Sequence, residues 1–265
     1  MTSNVDWAGI AHAPAGAEPR IACLVPSLTE LLFALDCGRH LVARTGFCIH
    51  PREARRVAKI GGTKDPDLVR LRALAPTHVV VNVDENRRED VDAMREFVPH
   101  VIVTHPLMPG DNPRLFALFG AIFGRVERAA ALESEFAAAL QTARESVGAL
   151  PREPVLYLIW RKPWMTVSRD TYVSASLAEV GWDTLPAIAP KRYPALEEDD
   201  IAWREAARIL LSTEPYAFRD RDVAQMKERH GKPVTLVDGE WTSWYGAKAI
   251  AGLRCLAELR LKAGL

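Results

Sequence analysis

Cys48 and His50 are the residues whose types and spacing most invite chemistry. In the extended segment Cys48-Ile-His50 they place a thiol and an imidazole on one side of the chain. Such a pair can bind a metal ion or act as nucleophile and base. A protein metal site takes about four ligands, and only these two are close in sequence. A strand-end imidazole bonding a backbone carbonyl is the plainer reading. A Cys48/His50 hydrolase is the alternative of a different class, although no glycine-framed nucleophile elbow surrounds the thiol. The chain also lacks a Gly-x-Gly-x-x-Gly after its first strand pattern, a P-loop and a His-Glu-x-x-His. A second group is aromatic: Trp160 and Trp164 with Arg161 between them, then Trp241, Trp244 and Tyr245, with Phe47 and Tyr193 elsewhere. Indoles and phenols clustered near polar groups are a common lining of ligand pockets. Thr63, Lys64 and Asn82 add polar contacts, and Lys64 has Asp84 and Glu85 as candidate ion-pair partners.

The 265 residues are 48% hydrophobic and 26% charged, enough for two α/β lobes with cores of their own. Basic and acidic side chains number 34 each and no basic stripe stands out, so nucleic acid is not an expected partner. Cys23, Cys37, Cys48 and Cys255 are scattered without a CxxC pair, and they read as free thiols in a reducing compartment. The first twenty residues show neither a basic n-region nor an apolar h-region. No run approaches the roughly 18 apolar residues that cross a bilayer. The expected location is cytoplasmic as the sequence stands, or periplasmic if translation starts upstream, with no membrane insertion and a monomeric state.

These candidate residues need elements to hold them. The longest such element is the run Val126–Leu150, free of proline and rich in alanine, which predicts one long helix. Leu132, Phe136 and Leu140 make its apolar stripe. Before it, strand patterns at 21–25, 41–47, 78–82 and 100–104 alternate with helical patterns at 28–35, 67–74, 89–97 and 112–124. Ser27-Leu-Thr-Glu30 reads as a capping box, and Asp65-Pro66 as an N-cap and first helical residue. After the helix, strands are expected at 154–160, 209–212 and 234–238, and helices near 174–180 and from Glu197–Asp200. A final helix carries Ile250, Leu253, Leu256 and Leu259 inward. The alternation argues for parallel sheets, whose ligands bind beyond the carboxyl ends of the strands. Phe47, His50, Asn82, Trp160, Arg161 and Trp164 all fall at such ends.

The segments PSLTELLFAL and GGTKDPDLVRLRALAPTHVVV, taken with the long helix, resemble the class III substrate-binding proteins of ABC importers. These are the cobalamin- and siderophore-binding family also called helical backbone metal receptors. The likeness runs from about Arg20 to the C-terminus. It implies two Rossmann-like lobes with parallel sheets joined by one long helix, and ligand binding without catalysis in the cleft between them. With the alanines, glycines and prolines of residues 1–19 read as a flexible leader, it leaves an N-terminal lobe 20–125, a linking helix 126–150 and a C-terminal lobe 151–265. It also implies a large metal-containing ligand and no prosthetic group. Cobalamin or another corrinoid leads, with haem or a ferric siderophore as the alternative and His50 as a possible axial ligand to the ligand's metal. By position, the likeness carries ligand contact to Phe47, Thr63, Lys64, Asn82, Trp160, Arg161, Trp164, Tyr193, Trp241, Trp244 and Tyr245. Family members resemble one another in carrying an acid in each lobe that docks on a permease. This chain has Val69 at the first such position and offers Glu198 and Asp199 at the second.

Overall fold

A computed structural model describes residues 4–264. Its architecture begins at Ile21–Cys23 (β1), three fully buried residues. Leu24 and Val25 follow, and Pro26 then opens the helix Pro26–Ala34 (α1), where a fixed φ and a missing N–H cost nothing. The expected capping box is therefore corrected. The cap residue is Val25, with no side-chain bond, and Ser27 lies buried within the first turn. Leu41–Arg44 (β2), Ala58–Lys59 (β3), Leu68–Ala73 (α2), His78–Asn82 (β4), Arg88–Arg95 (α3), His100–Thr104 (β5) and Asn112–Ile122 (α4) follow. The strands form one sheet in the order β3-β2-β1-β4-β5, every pairing parallel. This is the doubly wound order, in which the strand sequence reverses between β1 and β4. Ala22, Leu24, Val79, Val81 and Val101 form its core with Leu71 and Met94 from the covering helices.

Helix α2 starts later than the sequence suggests. Gly61, at φ 94°, and Pro66 form an isolated bridge, and the Asp67 N–H donates to the Ile60 carbonyl at 2.7 Å. Residues 61–66 are thereby closed into a small loop, and a Cβ on Gly61 would run into the Asp65 carbonyl. The N-cap is Asp67, whose carboxylate accepts from the Arg70 N–H, and not Asp65.

The segment before β1 is also corrected from a loosely ordered leader, over residues 4–15. The Asp6 carboxylate is buried and accepts from the N–H groups of Ala8, Ile10 and Val103. His12 Nε2 lies 3.0 Å from the same carboxylate, so His12 is a core residue and not a surface one. The Trp7 N–H donates to the Val103 carbonyl, the Arg114 guanidinium covers the Trp7 ring at 4.0 Å, and the Ala15 N–H reaches the Ile122 carbonyl. One short acid-centred turn thus covers the open edge of β5, a common protection of sheet edges.

The long helix is Val126–Val147 (α5), about 33 Å at 1.5 Å per residue. Its buried stripe is Ala129, Leu132, Phe136, Ala139, Ala143 and Val147. Ala139 and Ala143 take the place expected for Leu140, which is only half-buried. By compactness the chain forms two units. One takes in the chain to Pro106 with Gly110–Phe136 and Tyr245–Lys248; the other has Leu107–Pro109, Ala137–Trp244 and Ala249 onward. The first half of α5 therefore belongs to one unit and the second half to the other.

The second unit contains Glu153–Trp160 (β6), Trp164–Thr166 (β7), Tyr172–Ala178 (α6), Trp182–Thr184 (β8), Ala195–Leu196 (β9) and Ile201–Glu205 (α7). Arg208–Ser212 (β10), Asp220–His230 (α8), Val234–Val237 (β11), Gly239–Ser243 (α9) and Lys248–Ala263 (α10) complete it. Its sheet runs β11-β10-β6-β7-β9, with β8 also on β6. The pairs β10–β11, β10–β6 and β6–β8 are parallel, whereas β6–β7 and β7–β9 are antiparallel. The expectation of a second all-parallel sheet is corrected to a mixed one. Its cause is the tight turn at Arg161–Pro163, with Lys162 at φ 70°, which sends β6 straight back as β7.

Candidate functional site

In the first unit, the strand-order reversal puts the exits of β1 and β4 side by side, the usual ligand crevice of such a sheet. Asn82 at the end of β4 is buried and braces the exit loop. Its side-chain oxygen accepts from the Asp84 N–H at 2.8 Å, and its backbone N–H donates to Asn86 Oδ1 at 2.9 Å. The Asn86 amide then donates to the Thr63 carbonyl, and Lys64 Nζ donates to the Asp84 carbonyl at 2.6 Å. The expected Lys64 ion pair is thus a bond to backbone, while the Asp84 carboxylate lies 3.6 Å from His105 Nε2. These links lock the 61–66 loop to the β4 exit. Over that loop stands Phe47, 63% exposed, its ring edge 3.5 Å from where a Cβ on Gly62 would be. Thr63, Lys64 and Phe47 are brought together at this rim, with Asn82 as the support beneath.

Cys48 lies inside. It has no exposed surface, its Sγ is 3.2 Å from Thr45 Oγ1, and burial pushes its thiol above the ordinary range. A thiol kept protonated in the core is a poor nucleophile. His50 is half-buried at the head of the turn Arg52–Arg56. Among the described residues, no group of three or more His, Cys, Asp or Glu side chains could hold a metal ion.

Tyr245 also reaches this unit. It is 5% exposed and its hydroxyl donates to Glu85 Oε1 at 2.7 Å. Burial, then the neighbouring Glu85 charge, pushes its phenol well above the usual value. The following Gly246 N–H donates to Asn112 Oδ1. Tyr245 therefore bonds the switch-point loop and presents no ring face, and Trp244, 8% exposed, is likewise inside.

The rim of the second unit is aromatic. Trp160 ends β6 with 40% of its surface exposed, and its ring meets Tyr216 edge-on at 5.6 Å. Tyr216 packs on Phe218 at 4.6 Å, Phe218 lies parallel to Trp164, and Trp164 meets Trp203 edge-on at 5.9 Å. Trp203 in turn stacks on His230 at 4.7 Å. Arg161 is held at the edge of this array: one nitrogen is 2.8 Å from Asp222 Oδ1, and its guanidinium lies 5.6 Å from the Trp164 ring centre. Asp222 is buried in the first turn of α8 and also accepts from the Arg219 N–H, so the pair is anchored. The Tyr157 hydroxyl, fully enclosed, donates to Ser212 Oγ and sits 2.6 Å from Thr242 Oγ1. This joins α9 to the β10 exit, and burial raises the phenol to about 12.

Tyr193 is 38% exposed, with the Arg192 guanidinium 5.9 Å from its ring. Trp241 is half-buried, and its backbone carries the close approach of Gly252 on α10. Glu198 is ion-paired with Arg229 at 3.0 Å, Asp199 is exposed, and Val69 is 83% exposed on α2. The sequence reading passed over Tyr216, Phe218 and Asp222. A usable signal was present, since Glu214-Pro-Tyr-Ala-Phe218 directly follows the strand β10, where ligand-facing groups collect.

Comparison with known proteins now decides the family. The periplasmic binding protein family matches this chain over residues 21–231. The chain belongs to that family. It is 22% identical over 251 residues to the vitamin B12-binding protein of Pectobacterium atrosepticum, covering 91% of this chain and 90% of the relative. Among solved structures it is similar to the periplasmic vitamin B12 binding protein BtuF of Vibrio cholerae, at 15% identity and a TM-score of 0.79 over 92% of this chain and 97% of that one. The periplasmic heme-binding protein RhuT from Roseiflexus is similar at 20% identity and a TM-score of 0.78, over 94% of this chain and 100% of that one. The resemblance to class III substrate-binding proteins of ABC importers therefore stands, and so does the α/β architecture read from the sequence.

Proposed function

We propose that this chain binds a corrinoid, cobalamin first among them, and releases it chemically unchanged. The observation that carries the reading is the aromatic array ending in Trp160, whose indole is partly exposed and meets Tyr216, the first ring of a row that continues through Phe218, Trp164 and Trp203. A corrinoid offers a broad apolar face fringed by amides, which suits an indole plate beside hydrogen-bonding groups. We assign ligand contact to Trp160, Arg161 and Trp164, the aromatic rim of the second unit. Arg161 is already neutralised by Asp222, which favours an uncharged rim over a strongly anionic ligand. The printed function of the vitamin B12-binding relatives supports the same choice. Likeness to heme-binding proteins supports haem as the second reading, with His50 as the candidate axial ligand. The Cys48/His50 hydrolase loses support from the burial of the thiol.

As to partners, the reading extends to a binding protein of an ABC importer, or a derivative that no longer docks. The derivative is favoured by Val69, exposed where the resemblance implies a docking acid, and by the engagement of Glu198 with Arg229. Titration of the purified chain with aquocobalamin, cobinamide, haemin and a ferric siderophore, followed by visible spectra, tests the ligand. Tightest binding of the two corrinoids supports the proposal. Binding of haemin or the siderophore in preference to both corrinoids would replace it.

A further inference from the structure

The segment between β2 and β3 is charged out of proportion to the rest of the chain. Overall, basic and acidic residues balance at 34 each, yet Arg44, Arg52, Arg55, Arg56 and Lys59 face a single acid, Glu53, across 44–60. Arg52–Arg56 forms a 3-10 turn, and Arg52, Arg55 and Arg56 are all exposed. Among the described residues, none of these three forms an ion pair with a carboxylate; the one side-chain bond in the group runs from Arg55 Nε to the Ile49 carbonyl at 3.4 Å. Arg52, Glu53, Arg55 and Arg56 together line a concavity of about 590 Å³.

Beneath the turn lies Arg44, a buried guanidinium that holds the backbone in place. It donates to the Ala54 carbonyl at 2.9 Å, the Thr45 carbonyl at 2.8 Å and the Arg55 carbonyl at 3.1 Å. Three carbonyls engage three of its five donors and do not cancel its charge, so a fourth positive centre adds to the field of the exposed three. A braced turn also reduces the ordering cost of presenting several guanidinium forks to one ligand. Guanidinium forks match the paired oxygens of phosphate, and three of them against the single Glu53 leave the concavity a net positive charge that concentrates anions.

We propose that Arg52, Arg55 and Arg56 form a binding site for a phosphate-bearing anion, braced by Arg44. The site uses none of the residues assigned to corrinoid contact. The shared chemistry has two sources, a free small phosphate and a phospholipid headgroup, and the probes separate them. The full-length protein is titrated calorimetrically with inorganic pyrophosphate, and separately sedimented with phosphatidylglycerol vesicles beside phosphatidylcholine controls. The same is done with the triple variant R52Q/R55Q/R56Q, whose melting temperature is measured without anion. Saturable binding of either probe that weakens at least tenfold in a variant melting like the wild type supports the site, and the probe that binds names the source. Absence of binding to both probes, or binding that the triple variant keeps, overturns it. Corrinoid affinity unchanged in the triple variant keeps this test separate from the corrinoid reading.

Discussion

Replacing Trp160 by alanine is the sharpest perturbation of the assigned ligand surface. The indole is 40% exposed. A tryptophan can bury up to about 250 Å², so about 100 Å² of indole remains for a ligand to cover. At about 25 cal/mol per Å² that area is worth about 2.5 kcal/mol. The expected loss of affinity for aquocobalamin is therefore about 1–3 kcal/mol, roughly 5- to 150-fold. Trp160 gives up one edge contact with Tyr216 when it is truncated, and the parallel pair of Trp164 and Phe218 does not depend on it. Stability without ligand should therefore change much less than affinity. The assay is a spectral titration of wild type and W160A with aquocobalamin, paired with thermal melts without ligand. Equal affinities, with both proteins folded, would refute the placement of the ligand on this array.

Three further perturbations test the packing and the titrating groups. Tyr157→Phe removes the hydroxyl shared by Ser212 and Thr242, each of which keeps a backbone bond; a loss of ~1–2 kcal/mol in urea unfolding is expected, and no loss would dismiss the network as a brace. Gly252→Ala puts a Cβ 2.7 Å from the Trp241 carbonyl oxygen, backbone that cannot step aside, and should cost about 1–3 kcal/mol by the same measurement, where an unchanged midpoint would contradict the close approach. His78 is buried and stacked on His100 at 4.7 Å, and burial first, then the charges of His100 and His12, lowers its imidazole from 6.5 to about 4. The unfolded imidazole takes up its proton first as pH falls, so this contribution is whole above pH 6.5 and is lost between 6.5 and about 4, with a ceiling of roughly 3 kcal/mol. His78→Phe should accordingly lose less stability between pH 7 and pH 4.5 than the wild type; an identical loss would remove His78 as the cause.

Legibility in the sequence followed how local the cause was. His78–Asn82 and His100–Thr104 were read to the residue, because a parallel sheet buried on both faces demands unbroken β-branched runs. Helix α5 was readable from composition alone, although its alanines, and not Leu140, supply the buried stripe where elements pack closely. Its last turn ends at Val147, short of the 150 expected. Some misses were local and one came from a pairing between distant segments. Ser27 has the form of a cap, but Pro26 starts the helix two residues before the expected Leu28. Asp65 has that form as well, but the Gly61–Pro66 bridge delays the start to Asp67 and Leu68. Helix α8 carries acids in its first turn and bases in its last, a legible pattern that the reading omitted. The turn 4–15 depends on Asp6 meeting Val103, which nothing local to either residue announces.

The same division holds for the candidate site. Phe47, Trp160 and Trp164 were recognisable as aromatic residues at strand exits, and the structure leaves Phe47 and Trp160 exposed there. Trp244 and Tyr245 look alike in sequence, yet both are buried, and Tyr245 spends its hydroxyl on Glu85. Exposure is set by the elements that close over a residue, and composition does not carry that information.

Equilibrium dialysis of the full chain against aquocobalamin, with the recovered ligand analysed by mass spectrometry, tests the central claim most directly. The account predicts saturable retention of one ligand per chain, recovered with its mass unchanged. Failure to retain the ligand, or recovery of an altered one, would contradict it.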